Sequence, residues 1–157
     1  MIKEGLVQQL KTIGEFFERS TSCLAEEDSA FSPKDGLYTV AQQVAHVADT
    51  VDWCIDGMFN PNGFDMNFEE HIKTVMAYTS LEKARAWFRK SIENAVATVG
   101  GKSDTELQQM MPENQIMNGP RLIVIGAISD HTAHHRGALT IYSRLLGKEP
   151  KMPYGDM

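Results

Sequence analysis

Three of the chain's five histidines fall within Asp130-His131-Thr132-Ala133-His134-His135-Arg136-Gly137-Ala138-Leu139. This block lies inside a longer stretch, Pro120 to Leu146, whose pattern predicts one helix. Residues four apart on a helix sit about 40° apart round the axis and roughly 6 Å along it, so His131 and His135 project from one face. Such spacing suits chelation of a metal ion. Counting about 100° per residue from His131, its neighbours are Val124, Ala127, Ile128, His135, Ala138, Tyr142 and Leu145. This is the apolar stripe, and it directs both imidazoles inwards. Ser129, Arg136, Thr140, Ser143 and Arg144 make the solvated side, with His134 on the flank between. Neutral imidazoles in a core must find hydrogen-bond partners or a metal. A third donor elsewhere would favour the metal.

The second helix offers that donor. It begins at Thr39-x-x-Gln42, a capping-box pattern, runs to about Phe59, and ends before Pro61-Asn62-Gly63. Val40, Val44, Val47, Val51, Ile55 and Phe59 make one broad apolar side. His46 lies on the other side, among Gln42, Gln43, Asp49, Thr50, Trp53 and Gly57. With Ala41, Ala45 and Ala48 leaving few charges anywhere, this helix is expected to be enclosed on more than one side, which puts His46 inside. If the second and fourth helices face each other, His46, His131 and His135 become three nitrogen donors from two helices. That set leaves a coordination position open, the pattern of a catalytic rather than a closed structural site, and suits Zn²⁺, Ni²⁺ or Fe²⁺.

The remaining elements must bring these residues together. A first amphipathic helix spans about Ile2 to Leu24, with Leu6, Leu10, Ile13, Phe17 and Leu24 at helical spacing. A third starts near Thr79-x-x-Glu82 and carries Leu81, Ala84, Phe88, Ile92, Ala95, Val96 and Val99 on one stripe, until Gly100-Gly101 stops it. Asn62 to Thr79 reads as a long crossover containing His71, which has no partner at ligand spacing and is expected at the surface. Lys102 to Gly119 reads as a polar connection with a hydrophobic patch at Leu107, Met110 and Met111. Pro120 stands near the start of the fourth helix and Gly147 just past its end. Four amphipathic helices with no clear strand predict an all-α four-helix bundle with long crossover connections.

Composition bounds the function. The length of 157 residues, with 42% apolar, is enough for one filled core, so a single domain over residues 1–157 is expected. A net charge of −6 and a pI near 5.3 argue against nucleic acid and anionic membrane surfaces as partners. No run of about 20 apolar residues appears and the N-terminus reads as amphipathic helix rather than signal peptide, so the expected location is the cytoplasm. Cys23 and Cys54 form no CxxC pair and are expected to be reduced packing residues. Cys54 has no histidine three or four positions away, which argues against covalent catalysis by a protein thiol.

At three places, in order, the chain resembles the DinB/YfiT-like family of metalloproteins. Thr39 to Val47 is similar to its second-helix histidine motif, Asp130 to Leu139 to its H-x-x-x-H-R-G block, and Leu145 to Gly155 to its closing segment. Ala138 departs from the many relatives that carry Gln there. The resemblance implies a DinB-like four-helix bundle with crossed connections, frequently a homodimer, and a metal triad falling on His46, His131 and His135. His134 then occupies an additional histidine position that is not a ligand. Residues 148–157, with Pro150 and Pro153, would form an irregular tail. Characterised relatives use low-molecular-weight thiols such as bacillithiol or mycothiol, so the implied activity is a divalent-metal-dependent thiol S-transfer to a small electrophilic substrate. A metal-dependent hydrolase and a non-catalytic metal- or ligand-binding protein are the alternatives. Asp49, Thr50, Trp53, His134 and Tyr142 are the candidates to line the pocket or orient what binds there, Asp49 through the imidazole of His46 or a bound water.

Overall fold

The long apolar repeats form the long helices of an all-α bundle. In chain order the elements are α1 (Ile2–Thr21), a 3-10 turn (Glu26–Asp28), α2 (Val40–Phe59), α3 (Phe68–Met76), α4 (Leu81–Gly100), α5 (Asp104–Gln108) and α6 (Ile123–Leu145). The computed structural model describes residues 1–155, and among these there is no strand, only an isolated antiparallel bridge between Met110 and Pro120. No helix among them is long and apolar enough to cross a membrane. Of the tail expected to be irregular, residues 148–155 are so; residues 156 and 157 lie outside the described residues.

The four long helices close a ring in which α1 packs chiefly on α4 and α6, and α2 on the same two helices. The chain therefore crosses the bundle between α1 and α2 and again between α4 and α6. Residues 60–80, which read as a crossover, instead join neighbours, and they contain α3, which packs on α2. Phe17 and Phe88 meet at 4.5 Å between ring centroids, and Leu10, Met58, Ile125 and Leu139 are sealed from solvent in the same core.

Polar groups fix the helix ends. Thr39 and Gln42 form the expected capping box, each side chain bonding the other's backbone N–H at 3.3 and 3.0 Å. The first helix stops at Thr21 rather than Leu24, because the Arg85 guanidinium donates to the Thr21 carbonyl at 2.6 Å and draws it out of the helical ladder's continuation. Ser80, not Thr79, caps α4: its hydroxyl accepts the Lys83 N–H at 3.2 Å. Two more free donors there, Leu81 N–H and Glu82 N–H, reach Ser29 Oγ at 2.9 Å and Glu26 Oε2 at 2.7 Å. Gly147, at φ +73°, ends α6 in a Schellman turn in which Lys148 N–H bonds Ser143 O and Gly147 N–H bonds Arg144 O.

The buried arc of α6 is rotated from the stripe expected in the sequence. Leu145 is 61% exposed, whereas Ser143 is fully buried, its hydroxyl donating to the Leu139 carbonyl at 2.8 Å. Val124, Ile125, Ile128, Thr132, Leu139 and Tyr142 complete the buried set. At about 100° per residue this arc is centred roughly 70° round from His131. The rotation follows from α6 lying against both α1 and α2, so that its core side faces the gap between them. His131 is left on the rim.

Candidate metal centre and its cavity

His46 comes from the middle of α2, His131 and His135 from consecutive turns of α6, and packing of these two helices brings the rings together. One ligating atom from each lies within 4.8 Å of the others, the only such cluster of three among the described residues. Ring centroids are 4.9 Å apart for His46 and His131, 4.7 Å for His46 and His135, and 4.4 Å for His131 and His135. His46 Nε2 and His131 Nε2 are 3.2 Å apart. Two nitrogens bound to one tetrahedral ion at about 2.0–2.1 Å stand roughly 3.3 Å apart, so the separation suits a shared ion.

Hydrogen bonding points the same way. His135 Nδ1–H donates to Gln43 Oε1 at 2.6 Å, which leaves the lone pair on Nε2. His131 Nδ1 is buried and has no partner, and Thr50 Oγ1, 3.5 Å from His131 Nε2, already donates to the His46 carbonyl at 2.9 Å. With the proton on Nδ1, the His131 Nε2 lone pair turns towards His46 Nε2, and where His46 carries its own proton on Nδ1 a cation between the two Nε2 atoms would be held by both.

Burial keeps all three rings neutral. It holds His131 down to about 4, helped by His46, and His135 down to about 3, helped by His131; it lowers His46 as well, against the opposing pull of Asp49. Neutral imidazoles with free lone pairs fit a divalent transition ion.

A cavity of about 430 Å³ opens on His46 and His131. From α2 it is lined by Asp49, Thr50 and Trp53, all three named from the sequence, and from α3 by Phe68, His71, Ile72 and Val75. The Trp53 indole N–H donates to the Asp65 carbonyl at 2.7 Å, which fixes the ring against Phe64 and Phe68. Two expectations are corrected. Tyr142 does not line this cavity: it packs edge-on against Phe31 and its hydroxyl donates at 3.1 Å to the carbonyl of Tyr38, which does line it. His71 is not a bare surface residue: α3 folds it back so that Nδ1 lies 2.9 and 3.0 Å from the Asp49 oxygens, and Nε2 lies 3.5 Å from Asp65 Oδ2. Asp49 thus bonds His71, and no hydrogen bond to His46 is formed. His134 is exposed, touches only the edge of His135 at 4.9 Å between centroids, and stands outside the cluster.

Gln43 and Tyr38 were not singled out in the sequence. Gln43 stood in plain view on the His46 side of α2, but its register against His135 depends on how α6 docks. Both cysteines are free, and burial pushes the Cys54 thiol up to about 12, so it is not a nucleophile at neutral pH.

Comparison with known proteins gives a consistent result. The family model described as the DinB superfamily matches residues 9–139. A DinB-like protein from Bacillus cereus shares the fold with a TM-score of 0.76 at 19% identity, over 98% of this chain and 97% of its own. A second, from Bacillus subtilis, superposes with a TM-score of 0.62 at 14% identity, over 98% and 96%. No curated protein matches the sequence.

Proposed function

The chain belongs to the DinB superfamily, and from that premise we propose that it is a single-domain, divalent-metal-dependent enzyme whose ion is held by His46, His131 and His135. The reaction is transfer of a low-molecular-weight thiol to a small electrophile. A bound Zn²⁺, Ni²⁺ or Fe²⁺ supplies Lewis acidity that lowers the pKa of a thiol, so that the nucleophilic anion exists at neutral pH. Gln43 holds His135 in the tautomer that offers Nε2, and Thr50 and Trp53 shape the cavity wall next to the histidines. In the transfer, the thiol sulfur forms a bond to the electrophilic carbon, the leaving group departs with its bonding pair, and the thiol proton passes to solvent.

One observation carries this reading: the cavity touches two of the three histidines, yet among the described residues that line it there is no serine or cysteine, and the Thr50 hydroxyl is bonded to the His46 carbonyl. This supports a nucleophile brought in from outside. Elemental analysis of protein purified without an affinity tag or added metal, followed by thiol-consumption assays with electrophiles beside ester and amide panels, tests it. Stoichiometric metal with thiol consumption is the expected result. Turnover of esters or amides without thiol would make the protein a hydrolase, and metal with neither activity would make it a binding protein. The apolar, exposed side chains of Ile141 and Leu145, one turn apart on α6, support a homodimer, which light scattering of the purified protein tests.

A further inference from the structure

We infer that the cavity beside the histidines takes an uncharged, flat apolar electrophile and turns away substrates whose body carries negative charge. As a statement about substrate this rests on the transfer reaction above; as a statement about what binds, it stands on the walls alone. Their volume of about 430 Å³ is that of a small-molecule site. The lining is mainly apolar, with Tyr38, Trp53, Phe68, Ile72 and Val75 among its residues, and the rings of Trp53 and Phe68 lie 6.0 Å apart between centroids.

Charge in the walls is already spoken for. Asp49 and His71 face each other at 2.9 and 3.0 Å. The second nitrogen of His71 lies 3.5 Å from Asp65, so two carboxylates share one imidazole and any excess charge is negative. Among the described residues that line the cavity there is no lysine or arginine. An anionic substituent turned to these walls, away from the histidines that would hold the ion, would give up its water and meet no cationic lysine or arginine, in a chain whose net charge is −6. An uncharged aromatic ring loses nothing of the kind and buries apolar surface against these walls.

The test compares two probes of one shape by isothermal titration calorimetry on the protein as purified. These are 2-naphthalenemethanol, which is uncharged, and naphthalene-2-sulfonate, an anion that coordinates metals weakly. The alcohol is expected to bind at least about tenfold more tightly than the sulfonate. Ile72, 53% exposed on α3 and part of the wall, gives two variants that keep the core intact, with helicity checked by circular dichroism. Ile72→Trp fills the cavity and should abolish binding of the alcohol, while Ile72→Lys places a cation in the wall and should narrow or reverse the preference. No binding of the alcohol, equal or tighter binding of the sulfonate, or indifference to both variants overturns the proposal. Its failure is separable from failure of the reaction. Alcohol binding without thiol consumption leaves the ligand class and removes the reaction, whereas thiol consumption with anionic electrophiles alone does the reverse.

Discussion

A histidine's neighbours decide what it can do, and the five in this chain divide accordingly. Burial lowers His46, His131 and His135, so the folded protein binds fewer protons there than the unfolded chain, whose histidines titrate near 6.5. Their contribution to stability is therefore complete above about pH 6.5 and is lost as pH falls towards about 4 for His131 and about 3 for His135. His71 has the opposite sign: partial burial pulls its value down, but Asp49 and Asp65 outweigh that and raise it. Its contribution is full below the unfolded value and is lost as pH rises through the folded one. Urea unfolding of chelator-treated protein at a series of pH values should show the acid loss, and His131→Ala should make that limb shallower. An unchanged limb would mean the rings are open to protons in the folded state. Metal content separates the cluster from its neighbour: His131→Ala should lose most of the metal, and His134→Ala nearly none, by elemental analysis. Equal losses would mean that the donors are wrongly chosen.

At the scale of elements, α3 shows most plainly what could be read in advance and what could not. Its Phe68, Ile72 and Val75 stand at helical spacing, but nine residues hold too few turns for periodicity to separate helix from strand. The asparagine that caps it, Asn67, accepts the Glu70 N–H at 3.4 Å, a weak local signal. For α5 the signal was there to be used, since Ser103-x-x-Glu106 is a capping box, with Glu106 Oε2 accepting Ser103 N–H at 2.9 Å. The long helices were legible because their stripes repeat over five or more turns, and so was the His131 and His135 pair, whose spacing is local. The phase of α6 was not, since a buried arc is set by which two helices flank it. Contacts that join distant segments, His71 with Asp49 and His135 with Gln43, left no mark on the sequence. As α3 rests chiefly on α2, its attachment depends on few bonds. Asp49→Asn should speed hydrogen exchange across Phe68–Met76 by at least about fivefold while leaving α4 unchanged. Unaltered exchange in α3 would show that apolar contacts alone hold it.

For the whole molecule, stability and the proposed metal chemistry draw on different residues. Phe17 and Phe88, in tilted contact between α1 and α4, are among the largest side chains sealed from solvent. Phe17→Ala should cost about 3–5 kcal/mol in urea unfolding, because a cavity replaces the ring. Removing the metal should leave far-ultraviolet circular dichroism almost unchanged, as the helices are sewn together by side chains that make no contact with the ion. Collapse of the helical signal on chelation would make the ion a structural one. The off-centre position of His131 on α6 has a further consequence. Because the donors lie beside the interlocked layer rather than in it, the ring of helices is a chassis and the ion-holding set an exchangeable fitting. Exchanging His131 for aspartate or cysteine should then retune which ion is preferred at little expense to folding, so this scaffold lends itself to redesign.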